Sequence, residues 1–467
     1  MSHDRIRIAS VTAPDFGLPR SQPAVGRAEY EARIEVARAR AVQAGLDFLL
    51  VYGDREHFAN LAYLTDHDPR FEEALLVIDS KGGRPDLLLG NEGLTYAELV
   101  EVDVERRLYQ GFSLPGQKRG DSPRLEPVLQ SCGIGRGQRV GIVGWKYATA
   151  IESDDPDHWL EAPAFLVDAL RKLTGDARLV TNATSIFMNP ADGLRSLNSA
   201  DQLAAFEFAA AHCSQSVRDL IEQLRPGVTE LEAAHSLKLN GLPFSAHLML
   251  SSGPRARLGL SSPTTRMIEH GDPFFVAFGL RGGLTARGGF VVSDASELPS
   301  QSAAYIGSLV KPYFGAVSAW YEEIGIGVTG AAMQAVVEDA LAGHEIGIAL
   351  NPGHLIHLDE WVDSPIYAGS DLSLRSGMLI QCDIIPVVAP HLHTTNAEDT
   401  IALADGPLRD QLAADYPELW QRVQARRAFM QDELGIRLKP EVLPFSNMAA
   451  MLQPFALDPA QAMTAAA

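Results

Sequence analysis

Three side chains in the last quarter of the chain have the types needed for metal binding or proton transfer. They are His354, Asp383 and Glu398, and each stands at the edge of an apolar, strand-like run. Residues presented in this way can meet in one concave site although they lie far apart in sequence. The pattern predicts a site built from a histidine and two carboxylates, which either holds a metal ion or moves a proton.

Further candidates lie close to these three in sequence. His357 and Trp361 follow His354 within one segment. His391 and His393 alternate along the chain, which would place both imidazoles on one face of an extended segment. If that face lines the pocket, the two histidines supply acid–base groups; the alternative is a loop exposed to solvent. Trp361 forms either a wall of the pocket or part of the core.

Length and composition limit the possible classes of protein. A chain of 467 residues is too long for one ordinary core, so at least two domains are expected. A formal charge of −20 and the lack of any Lys/Arg run argue against nucleic-acid or anionic-membrane partners. The three cysteines show no CxxC spacing, no apolar signal core follows the start, and the apolar run at 46–52 is too short to span a bilayer. These features predict a cytoplasmic protein.

The positioning elements of the first part alternate between helix and strand. An Ala/Arg/Glu-rich helix is predicted for residues 28–45, and short apolar runs that read as buried strands occupy residues 46–52, 73–78, 86–89 and 139–144. Turn-forming residues at 189–193 then precede a long helix. The pattern predicts an α/β domain over residues 1–192.

The second part, residues 193–467, has a different pattern. Ser199 caps a predicted helix with an apolar stripe that includes Cys213 and reaches residue 224, and Thr229 begins a capping box. Two apolar runs around a glycine-rich turn predict a hairpin over residues 272–292. Strand signals dominate after residue 351, so an α+β domain is expected, with a frayed tail from residue 459.

Taken in order, these segments resemble the creatinase, prolidase and aminopeptidase P superfamily. The resemblance implies an α/β N-terminal creatinase-like domain followed by an α+β catalytic domain with the pita-bread fold. The matching positions are Asp54–Thr65, Arg70, Ala74–Ile78, Arg195–Ser199, Arg225–Glu230, the hairpin at Gly271-Asp272, Gly353-His354, Ser376–Met378 and Glu398-Asp399.

Metal-dependent members of the superfamily hold two divalent cations with two Asp, one His and two Glu. By resemblance the His falls on His354, and the two Glu fall on Asp383 and Glu398. The two Asp positions fall on Ala277 and Arg287, neither of which is a ligand. A dinuclear centre is therefore not expected, and no cofactor is predicted; the alternative is one ion held by His354, Asp383 and Glu398. In the metal's place, Arg287 would pair with Asp383 or Glu398.

Creatinase also lacks the metal ligands and hydrolyses a C–N bond with His and Glu residues. The segment that carries its catalytic His reads Gly259–Pro263 here, without a histidine, so creatine is not the expected substrate. The prediction is a creatinase-like hydrolase of a non-peptide C–N bond in a small polar substrate. His354, Asp383, Glu398 and Arg287 are the predicted catalytic residues. The alternatives are a non-catalytic pita-bread binding module and a metal-dependent Xaa-Pro peptidase.

Arg70 lies where relatives use a first-domain arginine to reach the pocket of a neighbouring subunit. The resemblance therefore predicts a homodimer in which the loop Asp66–Phe71 lies near the other subunit's pocket. The alternative for Arg70 is an ordinary surface position.

Overall fold

The computed structural model describes residues 5–465, which form two compact units. One unit is Val25–Ser196, and the other combines the segment up to Ala24 with the chain from Leu197 onward. In the described range, no helix has the length and apolar character needed to cross a membrane.

The unit Val25–Ser196 is an α/β domain, as predicted. Its sheet has the strand order β5-β4-β3-β2-β6-β7, with β2 parallel to β6 and antiparallel to β3. Every residue of β2 is buried, because a central strand covered on both faces needs a continuous apolar run. The elements are α1 (Arg27–Gln43), β2 (Phe48–Gly53), α2 (Ala59–Thr65), β3 (Ala74–Asp79), β4 (Asp86–Leu89), α3 (Asn91–Tyr96), β5 (Glu105–Leu108), α4 (Leu125–Ser131), β6 (Val140–Val143), α5 (Ala164–Thr174), β7 (Val180–Asn182) and α6 (Ser185–Met188).

The other unit packs helices beside an antiparallel sheet of order β12-β13-β15-β10-β9-β8, with β16 paired to β15. This arrangement confirms the predicted α+β class. Its elements are β1 (Ile6–Ser10), α7 (Ala200–Gln223), α8 (Glu230–Ala233), β8 (Met249–Ser252), β9 (Pro273–Leu280), β10 (Gly283–Phe290), α9 (Lys311–Glu323), α10 (Gly330–Leu341), β11 (Gly347–Ile348), β12 (His354–Leu355), β13 (Leu379–Cys382), β14 (Pro386–Val387), β15 (Asn396–Leu403), α11 (Gly406–Asp415), α12 (Pro417–Asp432), β16 (Val442–Pro444) and β17 (Gln461–Ala465).

Helix α7 and the hairpin β9–β10 form the centre of this unit. Ser199 caps α7 by accepting a hydrogen bond from the Gln202 N–H, and Cys213 on the apolar stripe is fully buried. The hairpin turns at Arg281-Gly282, where Gly282 has φ +104°, and a Cβ there would lie 2.2 Å from Phe206 of α7. The glycine therefore lets the helix lie against the turn, which fixes the register of the two strands.

The domain boundaries differ from the predicted ranges 1–192 and 193–467. The division falls between Ser196 and Leu197, and the N-terminal segment belongs to the C-terminal unit. The reason is a long-range pairing, in which β1 joins β17 antiparallel. The prediction of a frayed tail is wrong for residues 461–465, which form β17; residues 466 and 467 lie outside the described range.

Candidate acid and imidazole site

Strand β15 separates two groups of charged side chains. It pairs with β10, which sets Glu398 opposite Ala286, and with β13, which sets Asp399 opposite Cys382. Side chains alternate along a strand, so the neighbours Glu398 and Asp399 point to opposite faces of the sheet. Each face therefore has its own chemistry.

The Glu398 face brings together the three residues singled out in the sequence. His354 comes from β12, and Asp383 follows directly after β13. The imidazole Nε2 of His354 lies 4.0 Å from Asp383 Oδ2 and 4.0 Å from Glu398 Oε1. All three side chains are buried. His354 pairs with Gln381, and Gln381 pairs with Thr400. Asp383 and Glu398 each lie two residues from one of these partners, so their side chains share one face of the sheet with His354.

A third acid, Glu360, belongs to the same cluster and was missed from the sequence. Its Oε1 lies 3.1 Å from His354 Nε2, which is closer than either of the predicted carboxylates. Its neighbour Trp361 stacks on the His354 imidazole, with ring centroids 4.0 Å apart and an interplanar angle of 18°. The only signal in the sequence was an acid next to an aromatic residue shortly after His354.

The cluster has three carboxylates and one imidazole. Among the described residues, no Lys or Arg forms an ion pair with Glu360, Asp383 or Glu398. Within the described range, the imidazole of His354 is the basic group in contact with them. Because these four groups lie close together and have no other charged partner among the described residues, each must shift the pKa values of the others.

The pKa values on this face reflect burial and like charge. Burial raises the pKa of Asp383 to about 7; the His354 charge opposes this rise and the Glu360 charge adds to it. Burial, with the charges of Asp383 and Glu360, raises the pKa of Glu398 well above its usual range, although Gln381 Nε2 donates to Glu398 Oε1 at 3.1 Å. Burial lowers the pKa of His354, but Glu360 and Asp383 outweigh it and leave that pKa above its usual value.

Arg287 lies on the opposite face, and its predicted pairing with the side chain of Asp383 or Glu398 is wrong. Its Nη2 donates to both oxygens of Asp399, at 3.0 and 2.8 Å. Its Nε donates to the carbonyl of Met451 at 2.8 Å, and Nη1 to the carbonyls of Ala286 and Glu398 at 2.7 and 3.0 Å. The guanidinium is thus fully engaged in the core, away from the cluster.

The residues present do not fit a dinuclear metal centre. In the observed register Ala277, Ala286 and Glu398 lie in one row across β9, β10 and β15. The position of the second expected aspartate on this face is therefore Ala286 rather than Arg287. Two methyl groups supply no ligand where two bridged ions need carboxylates.

A single ion does fit the donor set. Ligand atoms of His354, Glu360 and Glu398 all lie within 4.8 Å of one another. Glu360 thus takes the place that the sequence had given to Asp383 in a single-ion site. One imidazole and two carboxylates are suitable ligands for a divalent transition metal.

The remaining candidates have the following surroundings. His357 is buried with its ring edge against Phe206, at 4.7 Å between centroids. His391 is exposed in a short 3₁₀ turn, and the His393 ring lies against Phe290, so the expected strand alternation is wrong. No hydrogen bond or ion pair joins either imidazole to the described residues of the cluster. Arg70, in the N-terminal unit, lies over the Phe58 ring.

Comparison with known proteins agrees with this architecture. Residues 204–404 match the family described as metallopeptidase family M24. The uncharacterized peptidase YqhT of Bacillus subtilis (strain 168) is 23% identical over 227 residues, which cover 47% of this chain and 60% of that protein. The chain thus spans less than two thirds of this curated relative.

Solved structures share the fold at low sequence identity. A Xaa-Pro dipeptidase from Bacillus anthracis superposes with a TM-score of 0.60 at 17% identity, covering 81% of this chain and 96% of its own. The prolidase from Pyrococcus horikoshii OT3 gives 0.60 at 15%, with 80% and 95% covered. Dipeptidase PepE from Mycobacterium ulcerans gives 0.60 at 21%, with 81% and 94% covered.

Proposed function

Because this chain is a member of the creatinase, prolidase and aminopeptidase P superfamily, we propose that it hydrolyses a non-peptide C–N bond in a small polar substrate without a dinuclear metal centre. The observation that carries the proposal is the row Ala277–Ala286–Glu398, in which methyl groups replace the expected ligands. The other acid and imidazole groups of the site are present. The chain has therefore lost the groups that hold a pair of ions and has kept groups that can bind substrate and transfer protons.

Asp383 is the group that we assign to proton transfer. Its Oδ2 lies 4.0 Å from the His354 imidazole, but it does not belong to the set His354, Glu360 and Glu398 that could hold an ion. Its Oδ1 is buried and has no hydrogen-bond partner among the described residues. Asp383 would take a proton from water as the water oxygen attacks the carbon, and would return that proton to the nitrogen as the C–N bond breaks.

The other residues of the cluster would bind and orient. Glu360 is about one quarter exposed, at 26% of its side chain, so it marks the side from which a substrate reaches the cluster. Trp361 is also partly exposed and would form a wall there. Glu360 and Glu398 would orient a polar group of the substrate. A single divalent ion held by His354, Glu360 and Glu398 would act as a Lewis acid.

A substrate panel tests this proposal. Release of amine or ammonia would be measured from small amides, ureides and amidines, beside Xaa-Pro dipeptides, with and without added Mn²⁺. We expect turnover of a non-peptide compound and none of the dipeptides. Asp383→Asn should lower kcat by about 10²–10⁴-fold with a smaller change in KM, whereas the exposed Asp371→Asn should have no effect. Xaa-Pro hydrolysis that depends on two bound ions would overturn the proposal.

We also propose a two-fold homodimer, on the resemblance alone. Light scattering at micromolar concentration should report about twice the monomer mass, as an interface of obligate size requires. A monomer would favour the non-catalytic binding module instead.

A further inference from the structure

The imidazole of His354 is held in place with its Nε2 directed at acids. The side chain is fully buried, Nδ1 contacts the backbone carbonyl of Leu355 at 3.2 Å, and Trp361 covers one face of the ring. Nε2 makes no hydrogen bond among the described residues. Its 3.1 Å approach to Glu360 Oε1 is an ion-pair contact by distance, but its direction is not that of a hydrogen bond. A buried nitrogen in this situation lacks a partner.

The spacing of the surrounding oxygens is that of ligands around one ion. Zinc bonds to imidazole nitrogen and carboxylate oxygen are about 2.0–2.2 Å long, so two ligand atoms on one ion lie between about 3 Å and about 4.4 Å apart. Nε2 lies 3.1 Å from Glu360 Oε1 and 4.0 Å from Glu398 Oε1. Small side-chain movements therefore suffice to bring all three atoms onto a single centre.

The second carboxylate of this set is oriented by a neighbour. Gln381 Nε2 donates to Glu398 Oε1 at 3.1 Å and to the Leu284 carbonyl at 3.0 Å. Outer hydrogen bonds of this kind fix the direction of a metal ligand and are part of a metal site. Glu398 is thus held toward His354 rather than left to rotate.

The occupant must be small and positively charged. The carboxylates exceed the one imidazole, and no Lys or Arg among the described residues pairs with them. Nε2 has no exposed surface, and Glu360 Oε1 lies 3.1 Å from it. A divalent ion bonded to Nε2 at about 2 Å meets both requirements.

We propose that His354, Glu360 and Glu398 bind one divalent transition-metal ion per chain, with Glu360 as a ligand that the superfamily's two-Asp, one-His, two-Glu set does not contain. Mixed imidazole and carboxylate ligation favours Zn²⁺ over Ca²⁺ or Mg²⁺. The site is mononuclear because Ala277 and Ala286 occupy the remaining ligand positions.

The number of metal ions bound per chain tests this proposal directly. The full chain would be stripped with a chelator, dialysed against Zn²⁺ alone or Mn²⁺ alone, and analysed for bound metal per chain. We expect about one equivalent of Zn²⁺ and a higher Tm when the ion is bound. Glu360→Gln should weaken Zn²⁺ binding by about 10–100-fold or more, and Asp383→Asn should weaken it less. The exposed Asp371→Asn is the matched control for net charge and should bind as the parent does.

Other results would overturn the inference. These are two equivalents of metal, none at all, one equivalent unaffected by Glu360→Gln, or a larger loss from Asp383→Asn than from Glu360→Gln. Because Glu360 is partly exposed, Glu360→Gln is expected to fold, and circular dichroism would verify this. The readout is bound metal and not turnover, so absence of C–N hydrolysis would count against the proposed function and leave this inference standing.

Discussion

Glu398 and Asp399 are adjacent acids on one strand with opposite surroundings. Asp399 is fully buried and meets Arg287, the Ser446 hydroxyl at 2.6 Å and the Ala450 N–H at 2.9 Å. Glu398 is almost as buried, but its carboxylate receives one hydrogen bond, from Gln381, and lies among other acids. Fixed donors oppose the rise that burial causes in the pKa of Asp399, whereas Glu398 has one such donor among the described residues and neighbouring acids raise its pKa further.

This difference separates an acid with structural partners from the acid that we propose is functional. A buried carboxylate whose charge is met by a guanidinium and two further donors stabilises a single arrangement of the core. A buried carboxylate without such donors is kept at a cost in stability, and groups of this kind concentrate at functional sites. Substitutions on one face at a time test whether the two acids differ in this way.

The largest effect is expected from Arg287→Ala. Removing the guanidinium leaves Asp399 buried without its counter-charge and removes the hydrogen bonds to four carbonyls, which should lower the free energy of unfolding by about 3–5 kcal/mol. Chemical denaturation would measure this. Arg437→Ala, at an exposed pair with Glu322, is the control and should change little. Equal losses in both variants would mean that the Arg287 pair is not the structural partner of this face.

A smaller loss is expected when two acids are introduced on the Glu398 face. The double variant Ala277→Asp, Ala286→Asp adds two carboxylates beside Glu398 and should lower the free energy of unfolding in chelator by about 2–4 kcal/mol. In Zn²⁺ or Mn²⁺ the loss should be recovered, and elemental analysis should show one more equivalent of metal than in the parent. If the variant gains no ion, this row is not where the lost ligands belonged.

Neutralising Glu398 should raise the free energy of unfolding, unlike the two changes above. In metal-free protein, Glu398→Gln removes one of several mutually repelling acids and should raise the free energy of unfolding by about 1 kcal/mol. The matched change Asp399→Asn removes a compensated charge and should lower it. Denaturation of both variants in chelator provides the measurement. Destabilisation by Glu398→Gln would show that the two faces are alike.

The fold could be predicted because its signals are local. The apolar runs of β2 and β6, the Ser199 cap and the hairpin around Gly282 each specify an element within a few residues. The assignment of β1 to the C-terminal unit depends on its pairing with β17 across the whole chain, for which no local signal exists.

Only the site residues that belong to sequence motifs could be predicted. His354, Asp383 and Glu398 meet as the motifs indicate. Arg287 was misassigned because a shift of one residue in strand register moves a side chain to the other face. Glu360 was missed because it lies in a loop, where no periodicity tells which acid turns inward.

The smallest effect is expected at a more exposed pair in the N-terminal unit, Asp54 and His57, whose Oδ2 and Nδ1 lie 3.0 Å apart. The hydrogen bond that the His57 imidazole donates to the Asp54 carboxylate raises the pKa of His57 above its usual value. Burial opposes the shift in Asp54, but hydrogen bonds from the His57 side chain and backbone and from the Glu56 N–H lower its pKa to about 2.

The directions of the two pKa shifts define the pH range in which this pair stabilises the fold. The His57 contribution is complete below about pH 6.5 and is lost as the pH rises through its raised folded pKa, whereas the Asp54 contribution is present above about pH 4 and is lost as the pH falls through about 2. Solvent screening keeps the total below about 1 kcal/mol. Asp54→Asn should therefore cost most stability between about pH 4 and 6.5 and less at pH 8, as denaturation at each pH would show. A cost that does not change with pH would show that Asp54 acts through its backbone hydrogen bonds alone.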